Sequence, residues 1–165
     1  MKIGILSDTH NNADNLTAAL KILERESIRV VIFCGDMVDA GLLPLFAGLA
    51  LHLVEGNIDY DPPGLARAVE RLGEGSTFGL EYTATIAGKR IAALHGHLDD
   101  RLNEAIHSGV YDYVFHGHTH RRRDERIGTT RVINPGALGG IRFEKRSFAI
   151  LDLASDHLRV VEIGG

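Results

Sequence analysis

Tryptophan is absent from this sequence, and cysteine occurs once, as Cys34. One thiol excludes an intrachain disulfide and any cysteine-based metal cluster. No apolar run reaches the roughly 18 residues that a membrane-spanning helix needs. No signal-peptide pattern precedes the first apolar run, which starts directly after Lys2. Positive charge is not in excess either: 18 Lys and Arg stand against 22 Asp and Glu, for a formal charge of -4. Nothing in that balance points to nucleic acid. These absences lead us to expect a soluble cytoplasmic protein with neither a membrane nor a nucleic-acid partner.

What is present is ordinary for a globular chain. Hydrophobic residues make up 44% and charged residues 24% of 165 residues. That length predicts a single domain over residues 1–165. It also allows a core that needs no staples. The N-terminal half alternates strand and helix. Lys2–Leu6, Val30–Cys34 and Leu51–Val54 read as buried strands. Leu16, Ala19, Leu20 and Leu23 form one helical stripe, which we read as core packing. Leu42–Ala50 reads as a short helix with Pro44 in its first turn, and Gly64–Leu72 as another helix. The second half is richer in strands. Leu80–Ile86 and Arg90–Leu94 flank a hairpin turn at Ala87-Gly88-Lys89, and Asp99–Ser108 reads as a helix. Tyr111–Phe115, Arg131–Asn134, Phe148–Leu153 and Leu158–Ile163 complete the strands. Parallel units followed by hairpins predict an α/β protein with two packed sheets and helices outside.

The informative excess is histidine, with nine residues. Asp8 and His10 follow the first strand, Asp36 the second and Asn57 the third. His95 follows the strand ending at Leu94, and His118 and His120 follow the one ending at Phe115. Sites in open α/β sheets are built at that edge, beyond the C-terminal ends of the strands. Any one of these residues reads by default as a cap or a surface side chain, and His52, His107 and His157 keep that reading. Seven at five strand ends do not. Carboxylates and imidazoles crowded together are electrostatically costly without a metal. Two carboxylates, one carboxamide and four imidazoles exceed the needs of one tetrahedral ion. They suit two divalent ions sharing a carboxylate. A donor set of N and O without thiolate fits Mn, Fe, Zn, Co or Ni. Two such ions outweigh the two carboxylates, leaving positive charge for a phosphate and an activated water.

The pattern resembles the calcineurin-like metallophosphoesterase superfamily. The matching motifs are Asp8-Thr9-His10, Gly35-Asp36-Met37-Val38-Asp39, Gly56-Asn57, His95 and Gly117-His118-Thr119-His120. Their order spans nearly the whole chain. The short length, with Ile133-Asn134-Pro135-Gly136 after the last motif, is similar to the small bacterial and archaeal phosphodiesterase-like branch. The resemblance implies a four-layer α-β-β-α sandwich of two mixed sheets flanked by helices. It implies a di-metal phosphoesterase acting on a small phosphoester, with manganese as the leading cofactor, and it allows a homo-oligomer. Carried over by position, Asp8, His10 and His120 hold one ion, Asn57, His95 and His118 hold the other, and Asp36 bridges. Asp39 is assigned a supporting role rather than a ligand role.

One departure stands out. Many family members place a proton-donating histidine after the Gly-Asn pair, whereas this chain reads Gly56-Asn57-Ile58-Asp59. Isoleucine cannot donate a proton. His97, two residues beyond His95, is the candidate substitute, its default reading being a supporting or surface residue. Arg121, Arg122 and Arg123 read as a solvated loop, with a phosphate clamp as the sharper alternative. Cys34 reads as inert core. The expected activity is phosphodiester hydrolysis by a metal-bridging hydroxide. The alternatives are a phosphomonoesterase or nucleotidase, and a binding scaffold of the same fold.

Overall fold

The computed structural model describes residues 1–73 and 75–164. Strand β1 (Lys2–Leu6) leads into helix α1 (Ala13–Arg25). Asn12 caps that helix, its side-chain oxygen accepting the N–H of Asn15 at 3.0 Å. The stripe of Leu16, Ala19, Leu20 and Leu23 is buried, as its spacing predicts. Strand β2 (Val30–Phe33) follows. The helix expected over Leu42–Ala50 is instead a tighter 3-10 helix, Ala40–Phe46. Asp39 sets its start by accepting the Gly41 N–H at 2.8 Å, and Pro44 removes an internal donor. Ala50 already opens β3 (Ala50–Val54). Helix α2 (Pro62–Glu70) starts two residues earlier than expected, because Asp61 caps it and both prolines suit its first turn.

The remaining elements are β4 (Thr77–Gly79), β5 (Glu81–Ile86), β6 (Lys89–Leu94), α3 (Asp99–His107), β7 (Tyr113–Phe115), β8 (Arg123–Ile127), β9 (Thr130–Asn134), β10 (Ser147–Asp152) and β11 (His157–Glu162). One sheet has the order β11-β10-β1-β2-β3-β4, the other β5-β6-β7-β9-β8. Each is mixed: β1 runs parallel to β2 and antiparallel to β10, and β9 runs parallel to β7 and antiparallel to β8.

Side chains alternate between two layers of core, as the strand period of two requires. Ile3, Ile5 and Ile32 face Ile91, Phe115 and Ile133 between the sheets. Leu6 and Phe33 turn the other way, onto Leu16, Leu23, Phe46 and Leu65 of the flanking helices. On the far side, Leu102 and Ile106 of α3 cover Val114 and Val132. The result is the α-β-β-α sandwich. Strand ends that carry ligand-type residues in both sheets meet at one edge.

Two strands lay outside the sequence reading, β4 and β8. Strand β8 is the sequence Arg-Asp-Glu-Arg-Ile, with no apolar alternation. It is an edge strand held by charge, with Arg131 of β9 donating to Asp124 at 2.7 and 2.8 Å. Charged edge strands are a recognised way to block further pairing.

Candidate metal centre

Asp8 and His10 leave β1, Asp36 leaves β2 and His120 leaves the turn after β7. One ligand atom from each lies within 4.8 Å of the others. His10 Nε2 and His120 Nε2 face each other at 3.0 Å. Asp36 Oδ2 is 3.5 Å from His10 Nε2, and Asp8 Oδ1 is 3.4 Å from His120 Nε2. The other oxygen of Asp36 belongs to a second set. Its Oδ1 is 3.3 Å from His95 Nε2, which lies 3.0 Å from Asn57 Oδ1. His118 stands at the margin, its ring edge-on to His95 with centroids 5.1 Å apart. Six of the seven predicted residues are thus linked through polar atoms in two sets that share Asp36, and His118 adjoins them by its ring contact with His95.

The backbone conformation required here is unusual. Among the described residues ten non-glycines have positive φ, and Asp8, His10, Asp36, His118 and His120 are five of them. Each costs about 1–2 kcal/mol. Strain of this kind persists only where the surroundings fix it, and it clusters at functional sites. The surroundings are visible. Ser7 Oγ donates to Asp8 Oδ2 at 2.5 Å, and the His118 N–H donates to both Asp8 oxygens at 3.2 Å. Gly117 must be glycine, since a Cβ there would collide with Ser7 Oγ and Asp8 Oδ2.

Each buried imidazole has its orientation set by a backbone carbonyl. His95 Nδ1 donates to Cys34 O at 2.7 Å, and His120 Nδ1 donates to Ile141 O at 2.9 Å. Both then aim Nε2 into the site, an arrangement typical of metal-binding histidines. Asp8, Asp36 and His95 are almost wholly buried. Burial pushes the His95 pKa down, but Asp36 overcomes it and the net shift is upward. Asp8 raises that of His120 against burial. Burial acts to raise the Asp36 pKa, and the contact with His95 more than reverses it. For His10 burial prevails over Asp36, and its pKa is lowered. The cluster calls for positive charge. Two imidazole nitrogens 3.0 Å apart, flanked by buried carboxylates, fit divalent cations in their donor chemistry.

Several supporting residues were not singled out from the sequence. Asp59 is buried and accepts three backbone N–H groups: Gly56 at 2.6 Å, Val38 at 2.6 Å and Asp36 at 3.2 Å. It ties the Asp36 loop to the Asn57 loop. Its signal was the acidic fourth position of Gly56-Asn57-Ile58-Asp59. Asn134 donates to Gly117 O at 2.8 Å and to Thr119 Oγ1 at 3.1 Å, holding the turn between His118 and His120. No pattern in the sequence links Asn134 to that turn.

The other candidates separate cleanly. Asp39 caps the 3-10 helix, accepting the Gly41 N–H at 2.8 Å. Ile58 contributes its backbone N–H to Asp36 Oδ1 at 3.2 Å. His97 lies beside the second set, 5.4 Å from His95 and 6.3 Å from His118 between ring centroids. Its Nδ1 is buried without a hydrogen-bond partner among the described residues. The ring lines a concavity of about 540 Å³ with Leu98, Asp99, Asp100 and Arg101. Arg122 and Arg123 do not form a phosphate clamp, because they are paired with Glu162 at 3.0 Å and Glu125 at 2.5 Å. Arg121 instead lies over the ring of Phe143. His116 is buried, and burial pushes its pKa down to about 4. The Cys34 thiol is fully buried and its pKa is pushed up, which keeps it unreactive. Among the described residues no helix is long and apolar enough to cross a membrane.

Comparison with known proteins gives a consistent result. The family model for the calcineurin-like phosphoesterase superfamily domain matches residues 1–156. Phosphodiesterase MJ0936 of Methanocaldococcus jannaschii is 33% identical over 163 residues, covering 98% of each chain. A solved structure described as a novel archaeal phosphodiesterase superposes with a TM-score of 0.93 at 33% identity, over 99% of this chain and 100% of that one. The phosphoesterase YfcE of E. coli shares the fold, with a TM-score of 0.71 at 18% identity over 99% of this chain and 100% of its own.

Proposed function

The chain belongs to the calcineurin-like phosphoesterase superfamily and is a hydrolase of phosphoester bonds, and from that premise we propose that it is a phosphodiesterase working with two divalent ions. The observation that carries this reading is the position of Asp36, with one oxygen toward His10 at 3.5 Å and the other toward His95 at 3.3 Å. Asp8, His10 and His120 would hold the first ion, and Asn57, His95 and His118 the second, with Asp36 common to both. When bound, such ions acidify water and neutralise charge on the phosphoryl group. Manganese is one candidate, beside Fe, Zn, Co and Ni, for a donor set of imidazole, carboxylate and carboxamide.

The protein's own groups supply orientation and proton transfer. Ser7 and the His118 N–H hold Asp8, while the carbonyls of Cys34 and Ile141 hold His95 and His120. His97 is the imidazole beside the second set that the ligand assignment leaves over. With Nδ1 enclosed, its Nε2 is the nitrogen that can pass a proton to the departing oxygen. Hydrolysis consumes one water and yields a phosphomonoester and an alcohol. A diester, with a single negative charge, suits a site whose neighbouring Arg122 and Arg123 are already paired with carboxylates. The likeness at 33% identity to an archaeal phosphodiesterase, in sequence and in fold, supports the same choice. The match over residues 1–156 supports reading the whole chain as one catalytic domain.

The test is to strip the protein of metal, reconstitute it with Mn²⁺, and assay matched panels of phosphodiesters and phosphomonoesters. Diesters should be turned over faster at equal leaving-group pKa. A preference for monoesters would replace the reading with a phosphomonoesterase.

A further inference from the structure

The connection between β9 and β10 is pinned against the first ligand set. Leu138 N–H donates to Ser7 O at 3.1 Å, and Gly139 N–H donates to Asp8 O at 2.7 Å. His120 Nδ1 donates to Ile141 O at 2.9 Å. Gly140 has φ +65° and lies so close to the ligand rings that a Cβ would sit 2.6 Å from His10 Cδ2 and from His120 Cε1. Arg146 fastens the segment from behind by donating to the carbonyls of Gly139 and Gly140.

This pinned backbone nevertheless presents large apolar side chains to solvent. Ile141 is 69% exposed and Phe143 is 54% exposed. The ring centroid of Phe143 is 6.3 Å from that of His120. Arg121, the residue after His120, places its guanidinium carbon 4.8 Å from the Phe143 centroid. Arg121 has no salt-bridge partner among the described residues, unlike Arg122 and Arg123. A single exposed apolar residue means little. An aromatic ring 6.3 Å from the ring of a proposed ligand, with a guanidinium that has no salt bridge among the described residues lying over it, is placed to touch substrate.

The site has two ends. His97 lies beside His95 and His118, whereas Phe143 lies beside His120. A leaving group served by His97 directs the other ester substituent toward Phe143. We propose that Phe143, backed by Arg121, is a specificity platform for that retained substituent, and that the substituent is a planar aromatic group, aryl or nucleobase. The proposal rests on the phosphodiesterase reading and names the substrate class within it. An alkyl group would gain only contact area on this platform. A flat ring gains stacking in addition, and Arg121, with its guanidinium carbon 4.8 Å from the Phe143 centroid, adds positive charge beside that ring.

Binding of non-hydrolysable phosphonates to the Mn²⁺-loaded protein tests this without turnover. Titration calorimetry would compare methylphosphonate, phenylphosphonate and a nucleoside phosphonate. The aromatic ligands should bind about two- to tenfold more tightly than methylphosphonate, the range expected for one aromatic pair. Phe143→Leu keeps apolar bulk without a ring and should erase that preference, whereas Phe143→Tyr should retain it. A nucleoside phosphonate binding above phenylphosphonate assigns the ring to a nucleobase, and the reverse order assigns it to an aryl group. Equal affinity for methyl and aromatic ligands, or a preference untouched in Phe143→Leu, overturns the platform. Diester turnover is measured in parallel. Turnover without aromatic preference defeats the platform alone, and aromatic preference without turnover defeats the catalytic reading alone.

Discussion

The carboxylate of Asp59 accepts the backbone N–H of Asp36 at 3.2 Å, and so fixes a residue that faces both sets of candidate ligands. The same side chain accepts from Gly56 and Val38, so a single buried carboxylate serves three donors on two loops.

Asp59→Ala should therefore be expensive. It leaves buried N–H groups unpaired, at about 1–3 kcal/mol each. Urea denaturation should show a loss of at least about 3 kcal/mol. Asp59→Asn, which can still accept through one oxygen, should lose less. In both variants metal affinity should fall by about 10–100-fold, the usual effect of removing an outer support of a metal site. Unchanged metal affinity in a folded Asp59→Ala protein would show that Asp59 supports the fold and not the site.

The second prediction is stoichiometric. The wild-type chain should bind close to two Mn²⁺, measured by metal analysis after equilibrium dialysis. Asp36→Asn should weaken both sites, because its two oxygens face His10 and His95 separately. His120→Ala should chiefly weaken the first. A plateau at one ion per wild-type chain would defeat the two-ion assignment.

Much of this centre was legible because its residues sit at strand ends, and strand ends are readable from apolar runs. Asp8, Asp36 and His95 follow runs that are buried on both faces. The illegible parts depend on contacts between distant segments. The positive φ of Asp8 and Asp36 leaves no trace in residue type, since most residues in that conformation elsewhere are glycines. Asn134 supports a turn that lies 15 to 17 residues earlier. Strand β8 differs: its Asp124 is held by Arg131 of β9 and its Arg126 donates to Asp156 in the β10–β11 turn, pairings that no periodicity reveals.

That turn carries a pH prediction. Asp156 accepts from Tyr113 Oη at 2.7 Å and from Arg131 Nη1 at 2.7 Å, joining the two sheets at the end opposite the ligand sets. Burial acts to raise its pKa, but Tyr113 and Arg131 overcome that, and the net shift is downward. A carboxylate with a depressed folded-state pKa stabilises the fold above its unfolded value of about 4, and that contribution disappears as pH falls through the lower folded value. Asp156→Asn should cost about 1 kcal/mol or less at neutral pH, since the pair is partly exposed. The left-handed backbone at Asp156 suits asparagine equally well. Denaturation measured from pH 7 downward should show the two proteins converging below about pH 4. A constant difference down to acid pH would show that the ion pair is not the source of the effect.

The last prediction concerns the proton that the leaving group needs. Ile58 occupies the position where many members of the family carry a histidine, and its contribution here is a backbone N–H to Asp36. His97 lies beside His95, with ring centroids 5.4 Å apart, and lines the adjacent concavity. If His97 supplies the proton, wild-type rates should depend only weakly on leaving-group pKa when chemistry limits turnover. His97→Ala should then steepen that dependence. Aryl esters, which leave readily as anions, should lose little. Alkyl esters should lose about 10²–10⁴-fold, the usual worth of general-acid assistance. Loss of a ligand or of fold integrity would instead depress both substrate classes equally, so the slope separates proton donation from structural damage. Adding Ile58→His to the His97→Ala protein should restore part of the alkyl rate, provided the new imidazole reaches the pocket. A wild-type enzyme that is already steep, with a slope unchanged by His97→Ala, would show that leaving groups depart without a protein proton donor. Such an enzyme would be confined to esters whose alcohols are acidic.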